Sequence, residues 1–219
     1  MIFKQLIKNK QGFTLVELLL ATFIFTLMVF AVSGVYIAFN KSQIRTNSSQ
    51  QLLNDSQYAL EVIAKEIRNN TIIDYSPTTV DCGALIKTGT GTDNFDQCII
   101  LERSNGQTVA FARHSFIATP GSLRLYYLLL DCDQFYSSCT NININSSAAT
   151  AILSPEVNNI NLSALNFNIL PSTNPYITGG PNQQPRVTIN MNTAYISADP
   201  VKNVDHTFQT TVSSRVYKR

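Results

Sequence analysis

The chain has 219 residues, room for one ordinary domain plus an appendage. Its formal charge of +2 is concentrated at the start, where Lys4, Lys8 and Lys10 precede Gly12 with no acid among them; without these lysines the side-chain charge is −1. The body therefore has no bulk excess of positive charge to attract nucleic acid, and its 14% of charged residues is low for a cytosolic protein and usual for an exported one.

The first predicted element is apolar. Gly12 is followed by Phe13-Thr14-Leu15-Val16-Glu17, and from Phe13 to Phe39 the only charge is Glu17. Residues 18–39, at about 1.5 Å each, form a helix long enough to cross a hydrocarbon core. The basic flank comes first, so Lys4, Lys8 and Lys10 are expected on the cytoplasmic side and the rest outside. A permanent single-pass anchor is one reading. A secretory signal is another, with Ala31-Val32-Ser33 before Gly34 as a small-x-small cleavage site. The apolar run is longer than a typical signal core, and it contains Glu17. A carboxylate there costs about 3 kcal/mol on insertion scales and needs a partner.

The run from Gly12 to Glu17 resembles the processing motif of type IV prepilins and type II secretion pseudopilins. The resemblance implies a leader, residues 1–12, that a prepilin peptidase removes between Gly12 and Phe13. It implies N-methylation of the new amine on Phe13. It also implies that Glu17 neutralises the amine of a neighbouring subunit during assembly. A buried carboxylate is tolerable when a cation meets it, and the ammonium of an adjacent Phe13 has the right depth when subunits are staggered. Many major pilins carry a helix-bending proline in the apolar helix. Here the corresponding residue is Gly34, which weakens a helix by about 1 kcal/mol relative to Ala and leaves room for a local kink.

Residues 41–70 contain no proline or glycine, and a helix is expected to continue through them. Leu53, Leu60, Ile63, Ala64 and Ile67 make one apolar face; Lys65, Glu66 and Arg68 lie on the other. Glu61 and Lys65, four apart, are expected to form a surface pair. Asn69, Asn70 and Pro77 stop the helix. The run 58–68 resembles the corresponding helix of the W- and J-type minor pilins.

The remainder reads as strands. Residues 98–103 and 109–113 flank Ser104-Asn105-Gly106-Gln107, a hairpin turn signal. Residues 122–130 are apolar on both faces near their end and predict a central strand. Residues 162–170 and 186–192 alternate, and 208–216 form the last strand, which also resembles that of the minor pilin group. Polar loops are expected at 81–97, 131–149 and 171–185.

Cys82, Cys98, Cys132 and Cys139 all follow the apolar block. If that block is an anchor, they lie where disulfides persist. Cys82–Cys98 and Cys132–Cys139 are the favoured pairings, because each closes a short loop; free thiols and a zinc site are the alternatives. Zinc fits poorly, without CxxC spacing or a nearby histidine. Asp131 with Asp133, and Asp93 with Asp96, match no calcium loop and read as turn-forming acids. His114 reads as a solvent or core residue and His206 as a loop residue. Arg215, Lys218 and Arg219 with Tyr217 are too few to argue nucleic-acid contact. No GxSxG, HExxH or P-loop occurs, so no enzyme, cofactor or metal is expected.

The expectation is an α+β pilin fold. It comprises the leader, a transmembrane and filament-core helix at 13–40, and an extracytoplasmic head at 41–219 made of the amphipathic helix and an antiparallel sheet. The resemblance implies a minor pilin or minor pseudopilin, held in the cell membrane and then built into a pilus or a periplasmic or extracellular filament. Its partners would be other pilins, the prepilin peptidase and an inner-membrane assembly platform. Glu17 argues against the tip pseudopilin that typically lacks this acid. A major pilin, or a membrane-anchored ectodomain with a ligand-binding or enzymatic role, are the other readings.

Overall fold

The computed structural model describes residues 12–73, 86–87, 97–115, 123–132, 139–141, 150–153, 159–175, 177–181 and 183–215. The chain forms two compact units, Met1–Ile44 and Arg45–Arg219.

The first unit contributes the start of helix α1, Leu15–Asn69. Thr14 caps it: its Oγ1 accepts the Glu17 amide at 3.3 Å and its carbonyl accepts the Leu18 amide at 3.2 Å. Along this stretch the hydroxyls bond back to the helix. Thr22 Oγ1 donates to the Leu19 carbonyl at 2.9 Å, Thr26 to Thr22 at 2.7 Å and Ser33 to Val29 at 2.7 Å. Each hydroxyl is thus satisfied without water, as an apolar surrounding demands. The helix passes through Gly34 without interruption. Its large apolar side chains in this unit, Leu15, Phe25 and Phe30 among them, are exposed. α1 is long and apolar enough to cross a membrane.

In the second unit α1 buries Ser48, Leu52, Ser56, Ala59, Ile63, Ala64 and Ile67. The buried row is shifted by one residue from the expected face at two places. Leu52 and Ala59 are buried, whereas Leu53 and Leu60 flank the contact half-buried. Ser56 stands in this buried row in place of an apolar side chain. Its hydroxyl meets that of Thr193 at 3.0 Å, and both residues are buried.

Among the described residues ten strands follow: β1 (Thr71–Ile72), β2 (Ile86–Lys87), β3 (Gln97–Glu102), β4 (Thr108–Ser115), β5 (Leu123–Cys132), β6 (Cys139–Asn141), β7 (Thr150–Ala151), β8 (Ile160–Leu170), β9 (Arg186–Tyr195) and β10 (Val204–Ser213). They make two sheets where one was expected. The first has the order β1-β3-β4-β5-β6-β2, with β7 also on β5; the second is β10-β9-β8. Among the described residues all pairs are antiparallel except β2 with β6. The expected turn joins β3 to β4. Gly106 has φ +80 there, a conformation that glycine adopts without penalty. β5 is interior, as its apolar faces predict. The last strand begins four residues earlier than expected.

One core joins α1 to both sheets. Ala59, Ile63 and Ile67 pack with Ile99, Leu101 and Phe111 from the first sheet, and with Leu165, Ile189 and Met191 from the second. The helix ends against the end of β10. Arg215 N donates to the Arg68 carbonyl at 2.9 Å, and Ser214 Oγ to the Asn70 carbonyl at 3.3 Å. Carbonyls at the helix terminus, which lack partners within the helix, are thereby satisfied.

Candidate processing and assembly site

Gly12 and Phe13 precede the first helical residue, and both are exposed. A peptidase needs an accessible, unwound bond, and this junction is one. A Cβ built on Gly12 meets nothing within 4 Å. No described neighbour therefore requires glycine at this position.

Glu17 lies in the first turn of α1, three residues after the capping Thr14. Thr14-Leu-Val-Glu17 has the S/T-x-x-E spacing of a capping box. The helix start is the positive end of the macrodipole, which favours a carboxylate. Around it every side chain from Leu18 to Phe25 is apolar or a threonine. The carboxylate thus stands at the margin of an exposed apolar surface, where a cation is its natural complement.

The head offers less chemistry. His206 lies in β10, a correction to its loop reading; the alternating pattern starts at Val204, ahead of the expected strand. Its Nε2 is 2.8 Å from the Ser49 hydroxyl, and its ring meets Phe208 edge-on at 6.2 Å. That hydrogen bond and ring contact describe a packed residue. His114 lies in β4 opposite Arg124. No group of potential metal ligands occurs among the described residues. Asp131 belongs to β5; Asp93, Asp96 and Asp133 lie outside the described residues, as do Tyr217, Lys218 and Arg219. Cys98 is buried, and no free cysteine occurs among the described residues. Cys132 and Cys139 are directly opposite in the β5–β6 register, and Cys82 lies outside the described residues.

The polar cluster that forms was not foreseen. The helix acid with a partner is Glu66, while Glu61 and Lys65 are exposed and make no ion pair with each other. Arg103, just after β3, donates to Glu66 through Nη2 at 2.8 Å and Nε at 3.3 Å, and through Nη1 to Gln107 at 3.1 Å. Asn70 Nδ2 donates to the same carboxylate at 2.6 Å. The guanidinium lies 5.7 Å from the Tyr127 ring centroid. The hydrogen bond to Glu66 holds Arg103 above its ordinary pKa, and burial pushes Tyr127 up. This cluster ties the end of α1 to the β3–β4 hairpin. Asp55 is pushed up by burial, and its Oδ2 has no hydrogen-bond partner.

Residues 7–33 match the model of the prokaryotic N-terminal methylation motif. No curated protein and no solved structure matches the chain. The matched segment contains Gly12, Phe13, Glu17 and the first turns of α1. It supports the type IV pilin and pseudopilin family; nothing in it separates the W/J-type subunits from others.

Proposed function

We propose that this chain, which carries the prepilin-type motif of the type IV pilin and pseudopilin family, is a minor pilin or minor pseudopilin that helps start or cap a filament. The precursor is cut between Gly12 and Phe13, the new amine is methylated, and residues 13–40 hold the protein in the cell membrane until assembly. Residues 41–219 form the extracytoplasmic head, with the leader and its lysines on the cytoplasmic side. In the filament Glu17 faces the cationic amine of a neighbouring Phe13. The observation that carries this reading is the conjunction of an exposed Gly12–Phe13 junction with a lone acid in the first turn of an apolar helix. The absence of proline near Gly34 supports a minor subunit. Other pilins, the peptidase and an inner-membrane assembly platform are its partners. Cys82–Cys98 and Cys132–Cys139 disulfides staple the head; the facing register of Cys132 and Cys139 supports the second.

Intact mass of the protein purified from membranes tests the reading. Loss of Met1 to Gly12 with one added methyl is expected. A mature chain that begins at Met1, or after Ser33, overturns it. Gly12→Ala is expected to leave the full precursor in the membrane.

A further inference from the structure

The edges of the two sheets are not alike. A sheet edge presents unpaired backbone N–H and carbonyl groups, and proteins blunt it with short strands, bulges, proline or lysine. In the first sheet the outermost strands, β1 and β2, have two residues each. At one side of the second sheet β8 is bulged between Leu162 and Ala164, and Arg113 Nη1 donates to the Ser163 carbonyl at that bulge. At the other side lies β10, with β9 as its one partner strand among the described residues. It pairs with β9 over 10 residues without a register shift and contains no proline, lysine or arginine. Every second residue of such a strand turns its N–H and carbonyl away from the sheet, so β10 offers a regular ladder to a further strand.

The side chains beside this edge are partly covered. On β9 the inward row Val187, Ile189, Met191 and Thr193 is buried; one strand further out, Val204, His206, Phe208 and Thr210 are half-buried. Within the second unit α1 runs beside β10 in the same direction. Ser49 meets His206, and the Arg68 carbonyl meets the Arg215 amide. Between those contacts the helix rises about 28 Å and the strand about 30 Å, so the two stay side by side. Leu53 and Leu60, four and eleven residues after Ser49, share its flank by helical phase and are half-buried. With Phe208 they form an apolar margin along the open edge, which an added strand would cover.

We infer that β10 takes up an extended segment of another polypeptide as an added antiparallel strand. Backbone hydrogen bonds supply the attraction, and alternate side chains select the segment. Towards α1 the segment needs aliphatic residues, beside Phe208 and Val212. On the outer face β10 shows exposed Thr207, Gln209 and Thr211, with exposed Asp205 at one end and exposed Arg186 and Arg215 at the other. A segment running the opposite way therefore suits an acid at its start, a base at its end and neutral polar residues between. A second copy of β10 meets neither need. Laid parallel through the same edge, it turns its Phe208 face to the polar side of the sheet. Laid antiparallel, it reverses α1 of one head relative to the other, which two chains entering from one membrane surface do not allow. This exclusion of a second copy rests on the filament-subunit reading.

The probe is a fluorescent synthetic peptide, Glu-Val-Thr-Val-Thr-Val-Thr-Val-Lys, titrated by anisotropy against the full chain purified from membranes in detergent. Saturable binding is expected. One form is N-methylated at its valines and another at its threonines, so that only one of them loses the N–H groups that face β10. That form is expected to bind at least about ten times more weakly than the other; equal binding of the two overturns the inference. The reversed sequence is expected to bind about threefold more weakly, and Asp205→Lys to remove that difference. A preference for the reversed sequence overturns the antiparallel direction. A cysteine at the fifth residue of the peptide is expected to form a disulfide with Gln209→Cys about ten times faster than with Asn168→Cys on β8. Faster capture on β8, no saturable binding, or Gln209→Cys chains that join each other and exclude the peptide overturn the inference, the last in favour of a second copy. The intact mass of the same samples keeps the two claims apart. A chain that begins at methylated Phe13 yet binds no peptide removes the added strand and leaves the subunit reading standing; a chain that begins at Met1 and binds the peptide at β10 does the reverse.

Discussion

Removing the Glu66 carboxylate should loosen the end of α1 from the β3–β4 hairpin by an amount the geometry sets. An ordinary surface ion pair contributes about 0.2–1 kcal/mol. This one is stronger for three reasons. Arg103 reaches both carboxylate oxygens, the side chains are only 30% and 20% exposed, and the Asn70 amide donates to the same group. Glu66→Ala leaves Arg103 and Asn70 without that acceptor, and the expected loss is about 1.5 kcal/mol. For a unit of this size each kcal/mol moves Tm by about 2–4 °C, so the midpoint should fall by about 3–6 °C. The assay is thermal unfolding of the full chain in detergent, followed by circular dichroism. It is run on Glu66→Ala, Arg103→Ala and the double variant, at low and high salt. A coupling energy of about 1 kcal/mol, partly screened by salt, is expected. Coupling near zero, or single-variant shifts below about 1 °C, refutes the reasoning: the contacts would then exist without bearing on stability.

Glu17→Ala should be cleaved and methylated normally yet enter filaments poorly, as read by intact mass and by immunoblotting of sheared filaments; undiminished entry removes the charge-pairing account. Ser56→Ala should cost about 1–2 kcal/mol by stranding the Thr193 hydroxyl, whereas Ser56→Ala with Thr193→Val should recover most of it. Equal losses in urea melts would show that the pair is not coupled. Asp55 has its pKa raised in the folded state, so its contribution to stability is greatest at low pH and is lost as pH rises through the folded value. Asp55→Asn should therefore be more stable than the parent at neutral pH, with the advantage shrinking as pH falls towards the ordinary carboxylate range; a difference independent of pH refutes this. Non-reducing peptide mapping should recover Cys132 joined to Cys139, and Cys82 joined to Cys98.

What the sequence made legible follows from the range of each interaction. The apolar run, the Gly12–Glu17 spacing and the Asn105-Gly106 turn depend on neighbours along the chain, and each could be read directly. Strands β8 and β9 were legible from alternation, β3 and β4 from the turn between them and β5 from its apolar run, with ends off by a few residues. Their division into two sheets was not, because alternation reports a buried face without naming the strand beside it. The buried row of α1 was misplaced by one residue at Leu52 and Ala59 for a related reason. Ser48 and Ser56 belong to that row, and a reading of apolar spacing passes over them. Glu66 was likewise assigned to a solvated face, since its partner Arg103 is 37 residues away. His206 was read as a loop residue because it follows Asp205 and the last strand was expected to begin only at Phe208, whereas β10 starts at Val204.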